Sequence, residues 1–279
     1  MKETNWARTW KYASLFVLMA FTLLPFMWLL DTTFKEKEAI FAATPTWIID
    51  PLTFEHYAWA LGKSGMQLGK LLANSAIACS VTALLTGIIA CISGYGLARY
   101  RVPGIGLILA LLVLAQMIQG PIIMIPWYKV ASALALLNTK TLLVLIYGTM
   151  TIPVGVWIMS GFFKVIPIDL EEAALIDGAT KFQTLSRIIV PLAMPGLVAV
   201  CLYSFILGWN DYQYSLIFTN SLDAKTVQVG IAEVMDSMGQ TNWGGILASG
   251  VIIVLPIIVL FSIIQKFLVE GLTAGSVKG

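Results

Sequence analysis

What most constrains this chain is the recurrence of apolar runs about twenty residues long, separated by short polar links. A run of that length crosses the ~30 Å hydrocarbon core of a bilayer as a helix. Lipid offers no hydrogen-bond partner, so each such segment must satisfy its own backbone internally. The expected fold is therefore an all-α integral membrane protein with about six transmembrane helices. The hydrophobic content of 58%, the 11% of charged residues and the mean hydropathy of +0.86 exclude an ordinary soluble domain. A net charge of +2 gives no basic footprint for nucleic acid.

The first predicted span runs from Tyr12 to Leu30, with Lys2, Arg8 and Lys11 ahead of it. Those cations place the N-terminus in the cytoplasm. The segment is too long for a signal peptide and lacks a clear small-residue cleavage site, so it is read as retained. Asp31 to Lys70 forms an outer connection, and the second span, Leu71 to Leu97, is rich in Ala, Ser, Thr and Gly, the residues that let membrane helices approach closely. The third, Gly104 to Ile125, carries Gln116 and Gln119 before Gly120-Pro121 and is expected to be broken, with a short outer segment from Pro126 to Lys140. Spans follow at Thr141–Phe163, Ile189–Phe218 and Gly245–Phe267, and alternation returns the C-terminal tail to the cytoplasm.

Between the fourth and fifth spans lies one polar stretch, Pro167 to Pro191, that reads as two short helices. Asp169, Glu171 and Glu172 sit where a helix dipole favours negative charge. Gly178 can end that helix in the left-handed conformation. Thr180 with Gln183 three residues on is a capping box for the second helix, which is expected to end at Pro191. Small residues at Ala173, Ala174 and Ala179 leave room for another surface, and Leu175, Ile176, Phe182 and Leu185 supply an apolar face. Such a hairpin either docks on a partner or merely caps and packs two interfacial helices.

Glu172-Ala173-Ala174, Gly178, Ile188 and Pro191 have the spacing E-A-A-x3-G-x9-I-x-L-P, with Val190 in place of the usual Leu. The stretch resembles the signature of ABC importer permeases. Trp209-Asn210-Asp211, Thr226 to Gly230 and the ending from Gln265 to Gly279 resemble maltose-type carbohydrate permeases, and within them the smaller six-helix partner. The resemblance implies a type I ABC importer transmembrane domain in the bacterial inner membrane: an N-terminal helix and outer loop (1–70), a permease core (71–268) containing the hairpin 167–191, and a cytoplasmic tail (269–279). It implies a second, non-identical permease, two copies of a cytoplasmic ATPase carrying ATP and magnesium, an extracytoplasmic solute-binding protein, and a sugar as cargo. This chain itself would bind no cofactor or metal and would have no catalytic residue. The hairpin becomes a coupling element seated on the ATPase through Glu171, Glu172, Ala173, Ala174, Asp177, Gly178 and Pro191. Glu172 is the candidate polar anchor, and Gly275, Lys278 and Gly279 are candidate ATPase contacts in the tail.

Trp209, Asn210, Asp211, Tyr212, Gln213 and Tyr214 combine aromatic faces with amide and carboxylate groups, the chemistry that holds a sugar. Together with Gln116 and Gln119 they form a candidate solute path. An acidic group at membrane depth faces a cavity or a partner; alternatively Asp211 lies at the outer surface within an interfacial aromatic belt. Two further functions stand beside sugar import. An intramembrane enzyme lacks any paired aspartates, HExxH or phosphate-binding glycine loop here. A permease for glycerol phosphate, an amino acid or a polyamine fits the same signature, and a phosphorylated cargo calls for clustered Lys or Arg along the path.

Overall fold

The computed structural model describes residues 5–48, 50–100, 103–118, 120–236 and 242–274. In chain order the helices are α1 (Asn5–Thr32), α2 (Lys37–Ile40), α3 (Glu55–Leu61), α4 (Leu68–Arg99), α5 (Ile105–Gln116), α6 (Gly120–Ala133), α7 (Lys140–Val165), α8 (Asp169–Ile176), α9 (Lys181–Thr184), a π-helical turn (Leu185–Ile189), α10 (Val190–Leu192), α11 (Met194–Trp209), α12 (Gln213–Phe218), α13 (Val227–Asp236) and α14 (Trp243–Ala274). Among the described residues no strand occurs. Within the described residues four helices (α1, α4, α7 and α14) have the length and apolarity to cross a membrane. The 181–192 segment and α11 do so as a pair bent by 76°.

The expected third span is broken, as Gly120-Pro121 requires. However, the second half continues through Pro126 to Ala133, where a loop was expected. Pro126 is the seventh residue of α6, and the one missing N–H leaves free only the carbonyl of Ile122, a residue 68% exposed. At 1.5 Å per residue α5 is about 18 Å long, so neither half of this pair spans alone. The Asp31–Lys70 connection also gains two short helices, α2 and α3.

The chain divides into two compact units. One comprises residues 1–69 and 231–255, the other 70–230 and 256–279. In the first, the turn after α1 is tied down by polar contacts. Asp31 pairs with Lys35 at 2.5 Å, Lys35 also donates to the Thr46 carbonyl, and buried His56 Nε2 lies 2.9 Å from the Lys35 carbonyl. Gly244 and Gly245 lie against the rings of His56 and Trp59 so closely that a Cβ would sit 2.2–2.3 Å from ring atoms.

In the second unit α4, α7 and α11 pack together. The small residues anticipated in α4 are part of the reason. Gly155 of α7 faces Thr86, Ala90 and Val200, and a Cβ there would lie 2.9 Å from Val200. Thr86 and Thr151 hydroxyls meet at 2.8 Å across the α4–α7 contact, an interhelical hydrogen bond of the kind that holds membrane helices together. Around it sit Cys91, Met159, Phe163, Ile189 and Val200. At the opposite end from the hairpin, Asn74 donates to the carbonyls of Leu222 and Lys225 and fixes the 219–226 loop onto α4.

Candidate functional site

The hairpin between α7 and α11 forms as the spacing predicts. α8 carries Asp169, Glu171 and Glu172 in its first turn. It ends in a Schellman closure: Gly178 N–H donates to Leu175 O at 3.1 Å, and Ala179 N–H to Ala174 O at 3.0 Å. That closure needs a left-handed residue, and Gly178 has φ +85°. The capping box of α9 is complete, with Thr180 N–H to Gln183 Oε1 at 2.8 Å and Gln183 N–H to Thr180 Oγ1 at 3.3 Å. The second helix does not stop at Pro191. It runs to Leu192 through the π turn, in which Val190 N–H reaches back to Leu185 O, and the chain bends at Ala193 instead. Pro191 has no N–H for the Arg187 carbonyl, so the turn before it widens and the chain continues.

The inward-facing carboxylate is Glu171, not Glu172. Glu171 Oε1 accepts from Arg99 Nε at 2.5 Å and Oε2 from the Tyr95 hydroxyl at 2.7 Å. Arg99 also donates through Nη2 to the Ile166 carbonyl at 2.9 Å. One guanidinium thus joins the last turn of α4, the exit of α7 and the first turn of α8. The side chains of Arg99 and Glu171 are only 8% and 12% exposed. Ala174 is buried beside them. Glu172, Ala173, Asp177, Gly178 and Pro191 are exposed and free to meet a partner. Asp169 and Glu172, three residues apart, share a face from which Glu171 points away, but only Arg99 and Tyr95 decide which face turns inward.

The hairpin also presents apolar side chains outward. Ile176 is 86% and Phe182 77% exposed, and Ile168, Leu170 and Leu175 are exposed as well. Lys181 Nζ lies 5.9 Å from the centre of the Tyr100 ring.

The polar cluster after α11 separates into two groups. Trp209 is 1% exposed and stacks on Phe205 at 5.3 Å. Tyr214 is buried and lies parallel to Phe218. Both therefore face protein. Asp211 Oδ2 accepts from the Tyr147 hydroxyl at 2.8 Å and from Ser215 N–H at 3.0 Å, and Oδ1 accepts from Tyr214 N–H at 3.2 Å. It caps α12 and ties it to α7. Tyr212 and Gln213 are exposed. Asn210 and Asp211 line an open groove of about 440 Å³ with Met150, Tyr203, Ile206 and Leu207. The sequence reading missed Tyr203, although Tyr203, Ile206, Leu207 and Asn210 follow the i, i+3, i+4, i+7 stripe of one helix face. Gln116 borders a separate crevice of about 60 Å³ with Pro153 and Trp157. Gln119 and the tail positions Gly275, Lys278 and Gly279 lie outside the described residues.

The profile of the family described as binding-protein-dependent transport system inner membrane component matches residues 4–273. The trehalose/maltose transport system permease protein MalG of Thermococcus litoralis is 34% identical over 270 residues, covering 94% of each chain. The diacetylchitobiose uptake system permease protein DasC of Streptomyces coelicolor is 30% identical over 279 residues, covering 100% of each. Among solved structures, a chain of a bacterial ABC transporter involved in the import of the acidic polysaccharide alginate superposes with a TM-score of 0.78 at 20% identity. That superposition covers 95% of this chain and 99% of the other.

Proposed function

Because the chain belongs to the family of binding-protein-dependent transport system inner membrane components, a multi-pass group of ABC importer permeases, we propose that its cargo is a sugar and that the 167–191 hairpin is its ATPase-coupling element. The kinship to trehalose/maltose and diacetylchitobiose permeases supports the sugar. The assembly that fits is a heterodimer with a second permease, two ATPase subunits that hold ATP and magnesium, and an extracytoplasmic binding protein. In that assembly the hairpin and both termini are cytoplasmic.

The observation that carries the coupling role is the three-way junction at Arg99. A transmission element moves its membrane spans only if it is joined to them more firmly than it is held by its partner. Here α8 is pinned to α4 and to the end of α7 through Glu171, while Ile176 and Phe182 face outward as an apolar surface for an ATPase cleft. Closure of the ATPases around ATP would displace the hairpin, and the pinned ends would carry the displacement into α4, α7 and α11. The groove beside Asn210 and Asp211 offers an aromatic ring and an amide, groups that bind hydroxyl-rich solutes, while the Asp211 carboxylate is held by Tyr147 and the α12 backbone; among the described residues no basic side chain lines it. A phosphorylated solute would call for Arg or Lys there.

The test is uptake of radiolabelled disaccharides into proteoliposomes holding the complete transporter, its binding protein and internal ATP. Saturable, binding-protein-dependent accumulation of a neutral oligosaccharide is expected. Uptake of glycerol phosphate, an amino acid or a polyamine to the exclusion of sugars would overturn the cargo assignment.

A further inference from the structure

The hairpin end of α7 borders a cavity of about 430 Å³ separate from the groove beside Asn210 and Asp211. Leu109 of α5 and Trp157, Ser160, Gly161 and Lys164 of α7 line it. Two features set it apart from an ordinary lipid-facing furrow. First, a cation stands at its mouth. Lys164 is exposed and, among the described residues, has no carboxylate partner. Second, the cavity continues deeper. Leu109 and Trp157 also line the crevice that reaches Pro153 and Gln116. From Lys164 to Pro153 the furrow follows α7 for about 16 Å at 1.5 Å per residue, close to the ~15 Å of one leaflet's hydrocarbon.

A slot as deep as one leaflet, apolar along its length and cationic at its mouth, matches one molecule: a phospholipid with an anionic headgroup. We propose that this furrow is a specific site for an anionic phospholipid, its acyl chain laid between α5 and α7 and its phosphate beside Lys164. Because Lys164 stands immediately before the coupling hairpin, the bound lipid braces the exit of α7. The assignment to the cytoplasmic leaflet rests on the hairpin's proposed orientation; the site itself does not.

Gly161 makes the proposal testable. A Cβ at Gly161 would meet nothing within 4 Å, so Gly161→Leu has room at its branch point and projects its side chain into the slot. Lys164→Gln leaves the slot open and removes the charge. The complete transporter, extracted with mild detergent from membranes containing phosphatidylglycerol and phosphatidylcholine, is analysed by native mass spectrometry. The wild type is expected to retain phosphatidylglycerol preferentially. Lys164→Gln should lower that preference about fivefold, the weight of one basic residue beside an anionic headgroup. Gly161→Leu should lose the retained lipid altogether. Equal retention of the two lipids by the wild type, or an unchanged preference in both variants, would overturn the proposal. So would a disulfide formed readily between Gly161→Cys and a cysteine on the second permease, because protein would then fill the slot. Loss of lipid without loss of uptake would leave the transport reading intact, so the two readings fail separately.

Discussion

Replacing Glu171 by glutamine isolates the junction. The isostere keeps the volume and one acceptor for Tyr95 or Arg99, but leaves the Arg99 guanidinium, 8% exposed, without a countercharge. Breaking a buried pair from one side costs about 3–5 kcal/mol. With both side chains about one-tenth exposed, the lower end applies. About 3 kcal/mol shifts the ratio of pinned to released hairpin about 100-fold, at 1.4 kcal/mol per tenfold. The expected result is a transporter that inserts and assembles, still hydrolyses ATP, and accumulates sugar at least tenfold more slowly. Amide exchange across residues 166–178 should rise in parallel. A double-variant cycle sharpens the test, because Arg99→Met combined with Glu171→Leu replaces the pair by apolar groups and should recover much of the order that either change alone destroys. If Glu171→Gln transports normally and its hairpin amides exchange as slowly as the wild type's, the junction does not carry the motion.

Three other substitutions probe neighbouring steps. Thr180→Ala removes half of the capping box and should lower hairpin stability by about 1 kcal/mol, read as faster amide exchange at residues 181–184. Asp211→Asn weakens the acceptor shared by Tyr147 and two backbone N–H groups, at a cost of about 1–3 kcal/mol; a lower unfolding temperature and lower membrane abundance are expected, and a stable protein with altered transport alone would make Asp211 a solute ligand. Gly155→Leu forces a side chain where Val200, Ala90 and Thr86 already stand within 2.9–3.2 Å of a Cβ. Overpacking of this kind costs about 1–3 kcal/mol or more, so this variant should fail to accumulate while Gly161→Leu accumulates normally.

The hairpin was legible because its signals are local. Gly178 and the Thr180–Gln183 box each determine a backbone geometry within a few residues, and both form as the spacing requires. The apolar spans at α1, α4, α7 and α14 were legible for the same reason, since one helix satisfies its own backbone in lipid. What escaped was the tertiary choice between neighbours. Nothing in Glu171-Glu172 alone says which carboxylate turns inward; that depends on Arg99 and Tyr95, more than seventy residues earlier. Asp211 reads equally well as a solute ligand or an interfacial residue until Tyr147 is seen beneath it. Trp209, a sugar-binding candidate by chemistry, is spent on packing. Pro126 and Pro191 were both read as stops, yet each lies inside helical structure that tolerates one missing N–H.

The most direct test of the coupling claim is a cross-link. A cysteine in place of Ile176, the most exposed apolar residue of the hairpin, is paired with cysteines along the cleft of the ATPase subunit in the assembled transporter. Disulfide yield is then followed with and without ATP. The account predicts efficient cross-linking in both states, with sugar uptake abolished on oxidation and restored on reduction. A hairpin cysteine that never cross-links to the ATPase, while uptake proceeds at the wild-type rate, would contradict it.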